Sequence, residues 1–234
     1  MSTAFDIIAF FVVTKGGDDH NMNQNGETLR HAPLSAQMVL ILGGARSGKS
    51  AFAERLVLQS GKRVAYIATA TAGDEDMRER IKRHQAARPA HWHTIEEPLD
   101  LVHALRQASL HGDVILLDCV TLWLSNWLSM QGDEQNWGED SSLHIAEVSR
   151  YIDGVVAEIE AVLHVVAGLD RHKTLIVVSN EVGLGIVPAY PLGRLYRDAL
   201  GRINQCLASA ATRVYLMVAG LGVDIKRLHD EASL

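Results

Sequence analysis

The chain has 234 residues, 47% of them hydrophobic, which is enough to bury one sizeable core. Its 22 Lys and Arg against 28 Asp and Glu give a net charge of −6, so there is no overall basic field to attract nucleic acid. Two isolated cysteines, Cys119 and Cys206, exclude a disulfide framework and a cysteine-rich zinc site, and no uncharged apolar run reaches the ~18 residues typical of a membrane span. We therefore expect one cytoplasmic domain with no membrane span and no nucleic-acid partner.

The first 37 residues differ in character from the rest of the chain. Residues 4–13 are apolar apart from Asp6, and residues 16–26 are polar and rich in turn formers. The segment lacks the basic region and the cleavage pattern of a signal peptide. We expect residues 1–37 to be a flexible N-terminal extension and residues 38–234 to form the domain. Translation from Met38 is an alternative, which the mass of the protein made from its native gene would test.

A phosphate-binding motif of the form G-x-x-x-x-G-K-[ST] follows the apolar run 38–42. In such a P-loop, backbone N–H groups at a helix N-terminus surround phosphate oxygens, the lysine contacts the β- and γ-phosphates, and the hydroxyl binds Mg²⁺. An ordinary glycine turn is the alternative, but the strand before the motif and the amphipathic helix after it disfavour that interpretation. The predicted nucleotide-binding residues are Gly43, Gly44, Ala45, Arg46, Ser47, Gly48, Lys49 and Ser50, with Lys49 catalytic.

A second strand is predicted over residues 63–69, and a polar helix follows over residues 74–87 and ends before Pro89. Met77, Ile81 and His84 recur at helical spacing, so this histidine should face the body of the protein. Basic residues surround it, and a solvated basic face is an alternative to an anion site. By the residues alone, a packed or solvated histidine is likewise an alternative to a functional one.

The middle of the chain continues the alternation of helices and strands. A helix is predicted over residues 98–108 and a buried strand over 114–118, ending in Asp118 as a Walker B strand does. Such an acid could hold Mg²⁺ opposite Ser50, although an apolar run that ends in Asp is also common. A further helix around residues 123–128 and a polar loop at 132–140 come next.

The C-terminal half starts with a long amphipathic helix over residues 143–167, whose apolar residues are spaced by three and four. It should cover the sheet, and a coiled-coil seam is the alternative. Strands are predicted over 174–179 and 213–218, with a loop and a polar helix between them. Five strands alternating with helices predict an α/β fold with a mostly parallel sheet.

Together these motifs resemble the family of bifunctional adenosylcobinamide kinases and adenosylcobinamide-phosphate guanylyltransferases. The resemblance covers residues 38–226 and is most specific at Asn180-Glu181-Val182-Gly183-Leu184-Gly185-Ile186-Val187-Pro188. Its other motifs are the P-loop, residues 66–69, 80–84 with 88–89, the strand ending at Asp118, 197–198 and 201–205.

The resemblance implies a RecA-like P-loop domain in a homotrimer that uses Mg²⁺, ATP and GTP. One reaction transfers the γ-phosphate to adenosylcobinamide; the other transfers GMP from GTP to adenosylcobinamide phosphate through a guanylylated His84. The sequence lacks the guanine-reading N-K-x-D motif, so the preference for guanine is implied by the resemblance alone. The resemblance implies further nucleotide contacts from Thr69, Ala70, Thr71, Gln85, Arg88, Glu96 and Asp118, Mg²⁺ ligands in Ser50 and Asp118, and substrate contacts from Asn180, Glu181 and Arg197.

The two reactions make different demands on the site. A P-loop holds β- and γ-phosphates, whereas His84 must reach the α-phosphorus of GTP. We therefore expect either a mobile segment around residues 73–90 or a second mode of nucleotide binding.

Two other functions fit the same residues. A P-loop kinase of small molecules without nucleotidyl transfer would not need His84. A P-loop switch or ATPase subunit would instead bind partner proteins through the helix at 143–167, without acting on a small molecule.

Overall fold

The computed structural model describes residues 37–131 and 145–232. The predictions for residues 1–36 and for the polar loop at 132–140 lie outside the described residues. The helices are α1 (Lys49–Ser60), α2 (Glu75–Ala87), α3 (Leu101–His111), α4 (Val120–Gln131), α5 (Ile145–Ala167), α6 (Pro191–Ala210) and α7 (Ile225–Ala232). The strands are β1 (Gln37–Gly43), β2 (Val64–Ala68), β3 (His93–Glu96), β4 (Val114–Asp118), β5 (Thr174–Val178), β6 (Arg213–Val218) and β7 (Leu221–Asp224).

The seven strands of the described chain form one sheet in the order β3-β2-β4-β5-β1-β6-β7. Only β7 is antiparallel to its neighbour, so the prediction of a mostly parallel α/β sheet is confirmed. Strand β5 lies between β1 and β4, because Val177 pairs with Leu40 on one side and with Leu117 on the other. One strand therefore separates the P-loop strand from the strand that ends in Asp118, which is the RecA-like arrangement.

Helices cover the two faces of the sheet unequally. The larger core packs α3, α4, α5 and α6 on one face, and the smaller core packs α1 on the other. Helix α5 buries Tyr151, Val155, Ile159 and Val166, and it packs against α6 and α3. The prediction that this helix covers the sheet is confirmed, and the coiled-coil alternative is wrong. None of the described helices combines the length and apolarity needed to cross a membrane.

Two strands and one helix of the described chain were not predicted from the sequence, so the expectation of five strands is wrong. Strand β3 is an edge strand on which only Ile95 is half-buried, and β7 returns from β6 in an exposed hairpin. Both are held by backbone pairing and carry little apolar pattern. Helix α7, which buries no residue, was also missed. Helix α3 begins at Leu101 rather than Pro98, because Asp100 caps it by accepting a hydrogen bond from His103 N at 2.8 Å.

Candidate active site

The P-loop joins the end of β1 to the start of α1, as its sequence predicts. Gly48 adopts a left-handed conformation (φ 93°) directly before Lys49, the first residue of the helix. No side chain caps this helix N-terminus, so its first N–H groups are available to an anion. Lys49 Nζ donates to Gly44 O at 2.7 Å, and this bond holds the ammonium on the inner side of the loop. The geometry is that of a phosphate site.

Gly43 is needed for steric reasons, and this leads to a prediction about stability. A Cβ at this position would lie 2.5 Å from Met217 O, and the residue has a φ of 152°. We expect Gly43→Ala to destabilise the protein by about 1–3 kcal/mol, as overpacking does. The matched control is Gly44→Ala, where an added Cβ would meet nothing within 4 Å, and we expect a change within about 0.5 kcal/mol. Chemical denaturation measures both, and equal effects would contradict the prediction.

Asp118 lies at the carboxyl end of β4 and is oriented by a tyrosine from the neighbouring strand. Tyr66 Oη donates to Asp118 Oδ2 at 2.9 Å, and burial raises the pKa of Tyr66, so this hydroxyl stays a proton donor. The second carboxylate oxygen, Oδ1, is left to accept another partner. Behind this pair, Thr69 Oγ1 donates to Cys119 O at 2.7 Å and accepts from Cys119 N at 3.0 Å. The end of β4 is thus fixed from β2.

The oxygen donors of Ser50 and Asp118 line the same pocket and suit Mg²⁺, which prefers hydroxyl, carboxylate, phosphate and water oxygens. No cluster of three or more His, Cys, Asp or Glu side chains that could hold a metal occurs in the described part of the chain. Mg²⁺ bound here would therefore need phosphate and water oxygens to complete its ligands. This is how Mg²⁺ usually binds in kinases.

Tyr66 should affect the metal through Asp118. We expect Tyr66→Phe to raise the Mg²⁺ concentration needed for tight ATP binding by about tenfold, because the partners that orient metal ligands matter to that extent. Tyr215→Phe is the control, since the Tyr215 hydroxyl accepts from Arg213 and does not line the pocket. Titration of ATP binding at several Mg²⁺ concentrations is the measurement. If Mg²⁺ dependence were unchanged in Tyr66→Phe, the hydroxyl would have no such positioning role.

Helix α2 carries His84 to the opposite wall of this pocket. The helix starts at an Asp74 cap, whose carboxylate accepts from Met77 N at 2.7 Å. Met77, Ile81 and His84 all line the pocket, as their helical spacing predicts. Arg80 lines it too, although it is exposed as Lys82 and Arg83 are, and Arg78 pairs with Glu75. The basic surface around His84 is therefore partly a solvated face and partly a wall of the pocket.

The end of α2 is attached to the sheet through two polar side chains. Gln85 Nε2 donates to Glu96 Oε1 on the edge strand β3 at 2.7 Å. The guanidinium carbon of Arg88 lies 3.7 Å from the centroid of the Tyr66 ring, a close cation–π contact. Arg88 Nε is buried without a hydrogen-bond partner. These contacts place a positive charge beside the tyrosine that orients Asp118.

Burial alters the pKa of two more charged groups near the P-loop. Burial lowers the pKa of Lys49 from its ordinary value. Burial, and then the nearby charge of Asp118, raise the pKa of Glu54, which follows Ser50 by one helical turn. Glu54 could be predicted from the sequence only through its spacing of four residues from the P-loop serine, and it was not assigned to the site. No role was predicted for Tyr66 either.

The pocket has a volume of about 240 Å³. Besides Ser50 and His84, it brings together five of the predicted nucleotide-site residues: Ala70, Gln85, Arg88, Glu96 and Asp118. Thr69 is buried behind it. Thr71 is exposed and donates to Asn126 Oδ1 at 3.0 Å, and Asn126 Nδ2 in turn donates to Thr69 O at 2.8 Å. Asn126, a polar residue within the largely apolar α4, was not predicted.

The predicted substrate residues lie outside this pocket, on the loop after β5 and on α6. Glu181 N donates to Gly43 O at 3.0 Å, which attaches the loop directly to the P-loop. Asn180 N donates to Thr121 Oγ1 at 3.0 Å, and Asn180 O accepts from Asn204 Nδ2 at 2.9 Å. Arg197 lines a second cavity, between α4 and α6. The loop after β5 is therefore bonded to the P-loop through Glu181, whereas Arg197 lies on the wall of the second cavity.

The sequence matches a family model described as cobinamide kinase / cobinamide phosphate guanyltransferase over residues 39–225. The Pseudomonas aeruginosa protein named bifunctional adenosylcobalamin biosynthesis protein CobP is 46% identical over 187 residues, which are 80% of this chain and 96% of that protein. Its counterpart named CobU from Escherichia coli is 40% identical over 190 residues, which are 81% and 99% of the two chains. Among solved structures, the flagellar accessory protein FlaH of Methanocaldococcus jannaschii is 15% identical with a TM-score of 0.41, covering 81% of this chain and 76% of that one.

Proposed function

Because the chain belongs to the cobinamide kinase / cobinamide phosphate guanyltransferase family, we propose that its single nucleotide pocket serves both transfers to a corrinoid substrate. The protein is a bifunctional enzyme of cobalamin biosynthesis, a kinase and a guanylyltransferase. The observation that carries the proposal is that Ser50 of the P-loop and His84 of α2 line one cavity. A kinase without nucleotidyl transfer would need only the first of these residues.

In the kinase step, the hydroxyl of the aminopropanol arm of adenosylcobinamide attacks the γ-phosphorus of ATP or GTP. A new O–P bond forms, the bond to the β-phosphate oxygen breaks, the hydroxyl proton is released to water, and the nucleoside diphosphate leaves. The P-loop N–H groups and Lys49 hold the phosphates in line. Mg²⁺ at Ser50 and Asp118 would neutralise charge on the phosphate oxygens. Tyr66 keeps the Asp118 carboxylate aimed at that position.

In the guanylyltransferase step, a ring nitrogen of His84 attacks the α-phosphorus of GTP. An N–P bond forms and pyrophosphate leaves, with Arg80 and Arg88 close enough to the pocket to stabilise the negative charge. A phosphate oxygen of adenosylcobinamide phosphate then attacks the same phosphorus and releases His84. The product is adenosylcobinamide-GDP. Covalent capture divides one transfer into two displacements, each at a phosphorus held in the same pocket.

Movement of α2 would reconcile the P-loop, which holds β- and γ-phosphates, with a histidine that attacks at the α-phosphorus. We expect hydrogen exchange over residues 73–90 to be fast without GTP and to slow when GTP binds. The described α2 residues belong to neither core, and Gln85–Glu96 is one of few attachments, which supports this expectation. Amide exchange followed by mass spectrometry is the measurement. Exchange that is equally slow in both conditions would exclude the movement.

The proposed activity is tested with the purified chain, Mg²⁺, adenosylcobinamide and ATP. The expected product is adenosylcobinamide phosphate, identified by mass. Addition of GTP should then convert it to adenosylcobinamide-GDP with one pyrophosphate released for each product formed. Absence of any phosphorylated corrinoid would overturn the proposal, and phosphorylation without conversion would overturn its second half.

The assembly and location of the protein are also part of the proposal. The resemblance supports a homotrimer, for which light scattering should give three times the monomer mass. The nucleotide substrates and two free cysteines support a cytoplasmic location. Fractionation of the native cells, followed by immunodetection, tests that expectation.

A further inference from the structure

A second cavity of about 410 Å³ lies at the same edge of the sheet as the nucleotide pocket. It is enclosed by α4, α6 and the loop that follows β5, and it shares no lining residue with the nucleotide pocket. Its wall is mostly apolar, with Leu128, Val182, Pro188 and Leu192 among the lining residues. A cavity of this size and composition is typical of a site for an organic ligand.

The hydroxyl groups of this cavity favour a ligand that donates hydrogen bonds, and the one cationic lining residue in the described chain, Arg197, is paired with Asp198. The hydroxyls of Ser125, Ser129 and Tyr196 each donate to a backbone carbonyl of α4, at 3.3, 2.9 and 2.9 Å. Their hydrogens are therefore engaged, while their oxygens can still accept. No carboxylate lines the cavity in the described part of the chain. Primary amides on an apolar framework fit this pattern.

The cavity is connected to the P-loop through three consecutive residues. Asn180 is hydrogen-bonded to α4 through Thr121, and Glu181 is hydrogen-bonded to Gly43 at the start of the P-loop. The next residue, Val182, lines the cavity. A ligand that occupies the cavity would thus contact a segment that is hydrogen-bonded to the P-loop.

An apolar rim, formed by residues 184–190, extends the cavity outward. Leu184 and Ile186 are 86% and 96% exposed, and Tyr190 is also exposed. The rim is held in place by Arg194, whose Nη1 donates to Pro188 O at 3.1 Å and to Ala189 O at 2.6 Å. An ordered apolar patch beside a cavity marks a binding surface more often than a chance cluster of exposed side chains.

We propose that the cavity and this rim bind the corrin macrocycle of the acceptor substrate. The inference rests on the proposed function, since cobinamide is the acceptor that the family description names. The methyl groups of the corrin ring match the apolar wall and rim. Its primary amide side chains match the accepting oxygens of Ser125, Ser129 and Tyr196. The cavity holds only part of the corrin ring, and the exposed rim contacts a further part that lies outside the cavity.

Ser129→Trp tests the cavity by filling it from an exposed position on α4. We expect the Kd for adenosylcobinamide to rise about tenfold or more, with ATP binding unchanged, because bulk in a pocket excludes ligand by at least this factor. Met130→Trp is the control: this neighbour is 69% exposed and does not line the cavity. Equilibrium dialysis, read by the visible absorbance of the corrinoid, measures both without any turnover. An unchanged Kd in Ser129→Trp would overturn the proposal.

The double variant Leu184→Ser/Ile186→Ser tests the rim, and both positions are exposed, so folding should be retained. We expect weaker adenosylcobinamide binding at an unchanged sedimentation coefficient. If binding is unchanged and the protein sediments as a smaller species, the rim is an interface between copies of the chain, and its corrin role is overturned. Wild-type protein that neither binds nor phosphorylates adenosylcobinamide would instead refute the proposed function itself. The two failures are therefore distinguishable.

Discussion

Replacement of His84 by alanine is expected to abolish guanylyl transfer and to leave phosphorylation of adenosylcobinamide largely intact. His84 is the proposed nucleophile, and loss of a nucleophile typically reduces such a step by about 10⁴-fold or more. The γ-phosphate site is built from the P-loop and Asp118, which do not depend on this side chain. Because His84 is only half-buried, the melting temperature should change little.

The measurement is incubation of each protein with Mg²⁺ and GTP labelled at the α-phosphate, followed by a denaturing gel and intact mass. Wild-type protein should carry a label that is labile in acid and stable in alkali, and His84→Ala should carry none. His103→Ala, an exposed histidine on α3, is the control and should be labelled as wild type. Equal labelling of His84→Ala would assign the nucleophile to another residue. If none of these proteins is labelled but adenosylcobinamide is still phosphorylated, the protein is a kinase without guanylyltransferase activity.

Replacement of Lys49 by alanine is expected to reduce the phosphoryl-transfer rate by about 10³-fold. Its ammonium lies inside the P-loop, and removal of one charged donor to a transferring phosphate typically costs two to three orders of magnitude. The side chain is buried, so its charge is poorly screened by solvent and contributes strongly to phosphate binding. Loss of its bond to Gly44 O should also loosen the loop.

Steady-state phosphorylation of adenosylcobinamide by ATP measures this effect, with ATP affinity determined separately. Lys62→Ala is the matched control, because Lys62 is an exposed lysine just beyond α1 that donates to His172 O. Its rate should equal that of wild type. A Lys49→Ala rate within a few-fold of wild type would show that the phosphates are held by the backbone alone.

The core of the fold could be predicted from the sequence because its strands are buried runs. The apolar residues of β1, β2, β4 and β5 mark these strands unambiguously, and α1 is marked by the P-loop before it. Strands β3 and β7 could not be predicted, since edge strands are defined by backbone pairing to a neighbour rather than by their own side chains. The sequence of His93–Glu96 contains no apolar pattern that would indicate a strand.

In the candidate site too, some residues could be predicted from the sequence and others could not. The P-loop and the inward face of α2 follow from local spacing, so Lys49, Ser50 and His84 could be placed on the correct elements. The bond from Tyr66 to Asp118 could not, because it joins residues 52 apart through the pairing of β2 with β4. A tyrosine in a buried strand gives no sign of which polar partner its hydroxyl reaches. The raised pKa of Glu54 could not be predicted for a similar reason, because it depends on burial and on the charge of Asp118.

The absence of described α2 residues from both cores has a consequence for how the sequence can vary. We expect substitutions on this helix to cost little folding free energy, so folding should place few constraints on it. Selection on α2 therefore acts mainly through chemistry, at His84, Gln85 and the neighbouring arginine Arg88. A lineage could lose the histidine without unfolding the P-loop domain, and the surviving protein would be a stable single-activity enzyme. Because substitutions there would cost little stability, a pre-existing kinase could also gain a nucleophile by a few substitutions in one peripheral helix.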